Sequence, residues 1–141
     1  MSERKDYEFF EHTADTGLKV YGWTLEKLFT NAAQGLVELL VDDSPIAVTE
    51  SRSVALSAAS PEGLLRVWLN ELLFWFATDR FLPGDYHLDS VTETALQGRV
   101  LGERFDPARH QQGTEVKGIT YHQLAVRQTD AGWEAQIIFD V

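Results

Sequence analysis

Glu11, His12 and Asp15 bring two carboxylates and an imidazole together within five positions near the start of the sequence, and Gly17 follows them. Such a set can hold a cation or exchange a proton. It can equally be a turn, because Asp hydrogen-bonds backbone two residues on and Gly accepts positive φ. The sequence closes on Phe139-Asp140-Val141, which sets the Asp140 carboxylate beside an α-carboxylate. If the first and last strands are neighbours, Asp15, Asp140 and Val141 converge, and three carboxylates at one point repel unless a cation neutralises them. Oxygen-only donors suit a hard cation, and calcium accepts irregular geometry more readily than magnesium. Without that convergence, Asp140 is simply part of a solvated tail.

A third segment, Glu115-Val116-Lys117-Gly118-Ile119-Thr120-Tyr121-His122, interleaves charged and apolar residues at the start of a strand. Lys117 there either discourages edge-to-edge pairing or offers an ammonium to a phosphate or carboxylate of a partner. His12, His110 and His122 stand far apart in sequence, and a hydrogen-bonded structural role is the simplest for each; His87 has no chemical context.

The elements that must position these groups show in the periodicity. Tyr7, Phe9 and Phe10, then Leu18, Val20 and Tyr21, mark two short strands that form a hairpin around the His12–Asp15 corner. From Thr24 the spacing changes to three and four through Leu25, Leu28, Phe29, Ala32, Leu36, Leu39 and Leu40, which predicts a helix to about Val41. Thr24 is its N-cap, Glu26 suits the positive end of its dipole, and Asp42-Asp43-Ser44-Pro45 stops it. Residues 46–58 read as one or two strands with Glu50 and Arg52 outward. Ser60-Pro61-Glu62 opens a second helix. Its residues, from Leu64 through Phe74-Trp75-Phe76, are apolar on nearly every side, so it is buried on most faces or offers one face to a partner. Asp79 to Asp85 breaks it with a turn, strands follow at 86–91 and 94–102, and a hairpin at 119–127 and 133–139 turns at Asp130-Ala131-Gly132. This order lacks βαβ repetition. It predicts an α+β fold over residues 1–141 as one domain, with two main helices packed on a mostly antiparallel sheet.

Composition removes several classes of function. There is no cysteine, hence no disulfide, thiolate ligand or thiol nucleophile. Twenty-two acids against 12 Lys plus Arg give a net charge of −10, a field that repels a nucleic-acid backbone, so autonomous RNA or DNA binding is not expected. No apolar h-region opens the sequence and no run reaches membrane-spanning length, which predicts a soluble cytoplasmic protein. Phosphate-binding glycine loops, GxSxG, HExxH and EF-hand spacings are missing.

Phe10-Glu11-His12-Thr13-Ala14-Asp15, Val20-Tyr21-Gly22, Leu28-Phe29, Ala32-Ala33, Trp68-Leu69-Asn70-Glu71-Leu72-Leu73, residues 115–122 and Phe139-Asp140-Val141 together resemble the archease family, in the same order along the whole sequence. Thr16 departs from the family's usual aliphatic residue and Gly118 from its usual alanine. The resemblance implies an accessory protein of RtcB-type RNA ligases. These join a 3′-phosphate or 2′,3′-cyclic phosphate end to a 5′-hydroxyl end, and archeases promote their guanylylation and turnover in tRNA splicing or RNA repair. It further implies a calcium site at Asp15, Asp140 and Val141 and a functional lysine at Lys117, with Glu115, His12 and His122 nearby in the motifs. Two other classes use the same residues differently: a small metal-dependent phosphoester hydrolase with Glu115 or His122 as base, and a chaperone-like module presenting Phe74, Trp75 and Phe76.

Overall fold

The computed structural model describes residues 5–12, 15–42 and 44–141. Strands β1 (Tyr7–His12) and β2 (Asp15–Gly22) form the expected hairpin, with His12 opposite Asp15; Thr13 and Ala14 lie outside the described residues. Gly17 is not its turn. It lies within β2, where the Phe10 ring on the neighbouring strand covers the space a side chain would need.

Helix α1 (Leu25–Val41) starts as its sequence dictates, with Thr24 Oγ1 accepting from Lys27 N–H at 3.1 Å. Its last carbonyls are capped from a distant loop: Gly113 N–H donates to Leu40 and Thr114 N–H to Leu39, at 2.9 and 2.7 Å. A Cβ at position 113 would run into the Leu39 carbonyl, so only glycine lets the loop approach this closely. Helix α2 (Pro61–Asp79) opens with Ser60 Oγ accepting from Gly63 N–H at 3.0 Å. It ends at Arg80, a non-glycine residue in the left-handed region with φ 60°.

The strands fall into two antiparallel sheets. One has the order β1-β2-β8-β6, with β7 also on β8; the other has the order β3-β5-β4. Their members are β3 (Glu50–Ser57), β4 (Phe81–Val91), β5 (Ala95–Arg104), β6 (Gly118–Ile119), β7 (Ala125–Thr129) and β8 (Gly132–Asp140). The helices lie between the sheets: α1 packs on β2 and β4, and α2 on β4, β3 and β6. This explains why α2 is apolar on nearly every side. Leu64, Leu65, Trp68, Leu69 and Leu72 are buried between two layers, and Trp68 satisfies its indole N–H on the Phe29 carbonyl at 2.9 Å.

Several local expectations are corrected. The segment Ile119 to Arg127 is not one strand: β6 ends at Ile119 and a turn with Gln123 at φ 54° separates it from β7. Pro83-Gly84 is not a helix-ending turn but part of β4, where the register shifts between Pro83 and Asp85, as a proline in a sheet requires. Arg52 does not point outward. It pairs with Asp79 at 2.8 Å and lies over the Trp75 and Phe81 rings at 5.6 and 4.5 Å. Trp75 and Phe76 are only 8% exposed, leaving Phe74 alone of the three at the surface. No helix of the described residues is long and apolar enough to cross a membrane.

Candidate functional site

Three strands end at one corner of the larger sheet. Thr16 is opposite Phe139, so the antiparallel ladder carries Asp15 to the position opposite Asp140. Asp140 is in turn opposite Gly118, and Lys117 N–H donates to the Asp140 carbonyl at 2.7 Å, which brings Lys117 beside Val141. The backbone row therefore reads His12, Asp15, Asp140, Gly118 from β1 to β6. The β2–β8 adjacency, rather than contact between first and last strands, brings the two aspartates together.

Side-chain alternation divides these residues between the two faces of the sheet. Leu18, Val20, Ile137 and Phe139 face the helices; Asp15 and Asp140 share the opposite parity and face away from them. Lys117 and Glu115 belong to the helix side, where both line a groove of about 490 Å³ between α2 and residues 112–117. His122 is exposed in the turn after β6, its N–H donating to Thr120 Oγ1 at 3.2 Å, and that turn is displaced along β8 from the Asp140 row.

Asp15 is half-buried and Asp140 exposed, and among the described residues neither carboxylate has an ion pair or a side-chain hydrogen bond. Like charges directly opposite on a ladder destabilise it. Oxygen donors alone suit a hard cation. Among the described residues no three His, Asp or Glu side chains are grouped to hold a metal ion, so the two aspartates would need further oxygen donors.

A second charged cluster lies at the other end of the loop that carries Lys117. Glu103 and His110 are 5% and 4% exposed, with His110 Nε2 at 3.0 Å from Glu103 Oε2. Asp106 N–H donates to His110 Nδ1 at 2.8 Å, which leaves Nε2 to carry the proton and donate to Glu103. Ala47 N–H donates to Glu103 at 2.6 Å, and Arg109 closes the set by pairing with the same carboxylate. Burial, reinforced by the Arg109 charge, lowers the His110 pKa from its usual 6.5. This cluster fastens the 105–114 loop to β5 and to residues 44–47. The structural role expected of His110 is thus borne out. Glu103 was not foreseen, since nothing in its spacing marks it beyond a lone acid at the end of an apolar strand.

The model of the Archease protein family matches residues 7–141 of this chain. A protein archease of Methanosarcina barkeri is 34% identical over 144 residues, 99% of this chain and 99% of the relative. Another, from Saccharolobus solfataricus, is 38% identical over 141 residues, 97% and 99% of the two chains. The solution structure of a Methanobacterium thermoautotrophicum protein is 33% identical with a TM-score of 0.79, covering 96% of this chain and 99% of that one. The crystal structure of a Thermotoga maritima archease, described as a possible chaperone, shares the fold at a TM-score of 0.67 and 22% identity, over 100% and 99% of the chains.

Proposed function

The chain belongs to the archease family, and from that premise we propose that it is a non-catalytic activator of an RtcB-type RNA ligase. In this role it promotes ligase guanylylation and multiple turnover in tRNA splicing or RNA repair. The single observation that carries the proposal is the row that sets Asp15 opposite Asp140 on neighbouring strands, with Lys117 tied to the Asp140 backbone. Among the described residues, the Asp15 and Asp140 carboxylates have no ion pair or side-chain hydrogen bond, which supports this reading.

In this proposal Asp15, Asp140 and the Val141 carboxylate hold calcium. When bound, that ion offsets their mutual repulsion and offers a positive charge to an incoming oxygen anion. Lys117, on the opposite face of the sheet end, offers an ammonium to a phosphate or carboxylate of the ligase. Glu115 shares its groove, His12 its sheet end, and His122 the turn beyond β6.

The test follows GTP-dependent guanylylation of the ligase from the same organism. Wild type raises the rate, Asp140→Asn and Lys117→Ala do not, and a fusion that turns the Val141 carboxylate into an amide weakens calcium binding and activation together. Equal stimulation by all four proteins would sink the proposal. A chaperone-like role has one observation in its favour, the 60% exposure of Phe74. Suppression of aggregation of unrelated proteins by both wild type and Asp140→Asn would support it instead.

A further inference from the structure

The groove of about 490 Å³ beside Lys117 has a two-part lining: apolar Leu73, Phe74 and Val116, and the cations Arg80 and Lys117. Phe74 is 60% exposed, an aromatic ring left facing water beside a concave apolar surface. Its helix neighbours Trp75 and Phe76 are buried, so core packing does not account for it.

The two cations share with Lys5, Lys19, Lys27, Arg66 and Arg99 the lack of a carboxylate partner among the described residues, and what distinguishes them is that they converge on one apolar groove. Arg52, Arg104, Arg109 and Arg127 each pair with a carboxylate. Among the described residues Arg80 and Lys117 do not, in a chain of net charge −10 where acids are abundant. Arg80 is also held in place: its guanidinium lies over the Phe76 and Phe105 rings, 4.2 and 4.8 Å from their centroids. It occupies the left-handed C-cap of α2, where glycine would carry no steric cost. A guanidinium fixed by two rings presents a pre-oriented fork, which matches a carboxylate in bidentate fashion.

We propose that this groove seats a short acidic segment of a protein partner, with one apolar side chain packed on Phe74 and a flanking carboxylate paired with Arg80 or Lys117. Charge complementarity is local, and that decides the class of occupant. Two cations suit one or two carboxylates, whereas Glu115 on the same rim and the net charge of −10 oppose a polyphosphate such as RNA. Taking the partner to be the ligase rests on the function proposed above; the groove and the chemistry of its occupant do not.

The experiment has two arms. In the first, amide resonances of the isotopically labelled full chain are followed while a synthetic peptide Asp-Glu-Leu-Phe-Glu-Asp is added, with a Lys-for-acid version and a uridine oligoribonucleotide as comparisons. Saturable shifts at Asn70, Phe74, Ala77, Arg80 and Lys117 with the acidic peptide alone are expected. No shifts at these residues, equal shifts with the Lys peptide, or preferential binding of the RNA would each overturn the proposal.

In the second arm, ligase affinity is compared for wild type, the double variant Phe74→Ser with Arg80→Gln, and Arg99→Gln, which removes an exposed charge from β5 in the other sheet. The double variant should bind about tenfold or more weakly, a change of about 1.4 kcal/mol, while Arg99→Gln matches wild type and all three melt cooperatively. Unchanged affinity of the double variant would exclude the groove as the ligase seat. If wild type itself fails to bind the ligase, the ligase assignment falls while the peptide titration still decides the groove.

Discussion

The Glu103–His110 cluster and the Asp15–Asp140 row contain the same kinds of group and treat them in opposite ways. At the first, both buried groups have partners: Glu103 takes Ala47 N–H, His110 and the exposed Arg109, and His110 takes Asp106 N–H on its other nitrogen. At the second, two carboxylates stand on adjacent strands with no partner among the described residues. Burial without partners is costly, so the first cluster must be complete in itself and acts on the fold. The second is half-buried at Asp15 and exposed at Asp140, so its carboxylates keep water as a partner. One loop connects them: residues 105–117 begin at the closed cluster and end at Lys117, so the buried pair fixes where the segment leading to Lys117 starts.

The largest change in stability is expected at the closed end. Glu103→Ala leaves the buried His110 Nε2–H and the Ala47 N–H without their acceptor and should cost about 3 kcal/mol, measured by urea unfolding. A loss under a third of that would mean the cluster is not a true buried network. Removing a helix cap is milder: Ser60→Ala should cost about 1 kcal/mol in the same measurement, with no change in ligase stimulation.

The pH dependence sharpens the same point. His110 titrates below 6.5 in the folded chain, so as pH falls the unfolded chain takes up its proton first. Its contribution is therefore full above about 6.5 and declines as pH drops from there through the lowered folded value. Chemical denaturation between neutral and mildly acidic pH should show this decline, and His110→Gln should flatten it. At the open end the stability effect should be smallest of all: Asp140→Asn is expected to move stability by less than about 0.5 kcal/mol, and upward, because it relieves a like-charged pair.

Much of the architecture was legible because it depends on local chemistry. Thr24 and Ser60 announced both helices through their hydroxyl caps, and Gly132, at φ 107°, announced the β7–β8 hairpin. The partition into two sheets was not legible, since strand periodicity records that one face is buried but not which layer buries it. Arg52 misled for that reason: its charge suggested solvent, whereas its stem and guanidinium pack over Trp75 and Phe81 between layers. The Asp15–Asp140 row was foreseen from the identity of its residues, and its actual basis, the β2–β8 register, came only with the fold. Arg80 was read as part of a helix break, because nothing in sequence shows that two distant rings, Phe76 and Phe105, hold its side chain.

The most direct measurement is multiple-turnover RNA joining by limiting RtcB-type ligase from the same organism, with wild type or Asp140→Asn added and the stability of both proteins checked in parallel. The account predicts that wild type restores turnover and that Asp140→Asn does not, although it is folded and at least as stable. Full stimulation by Asp140→Asn, or none by wild type, would contradict it.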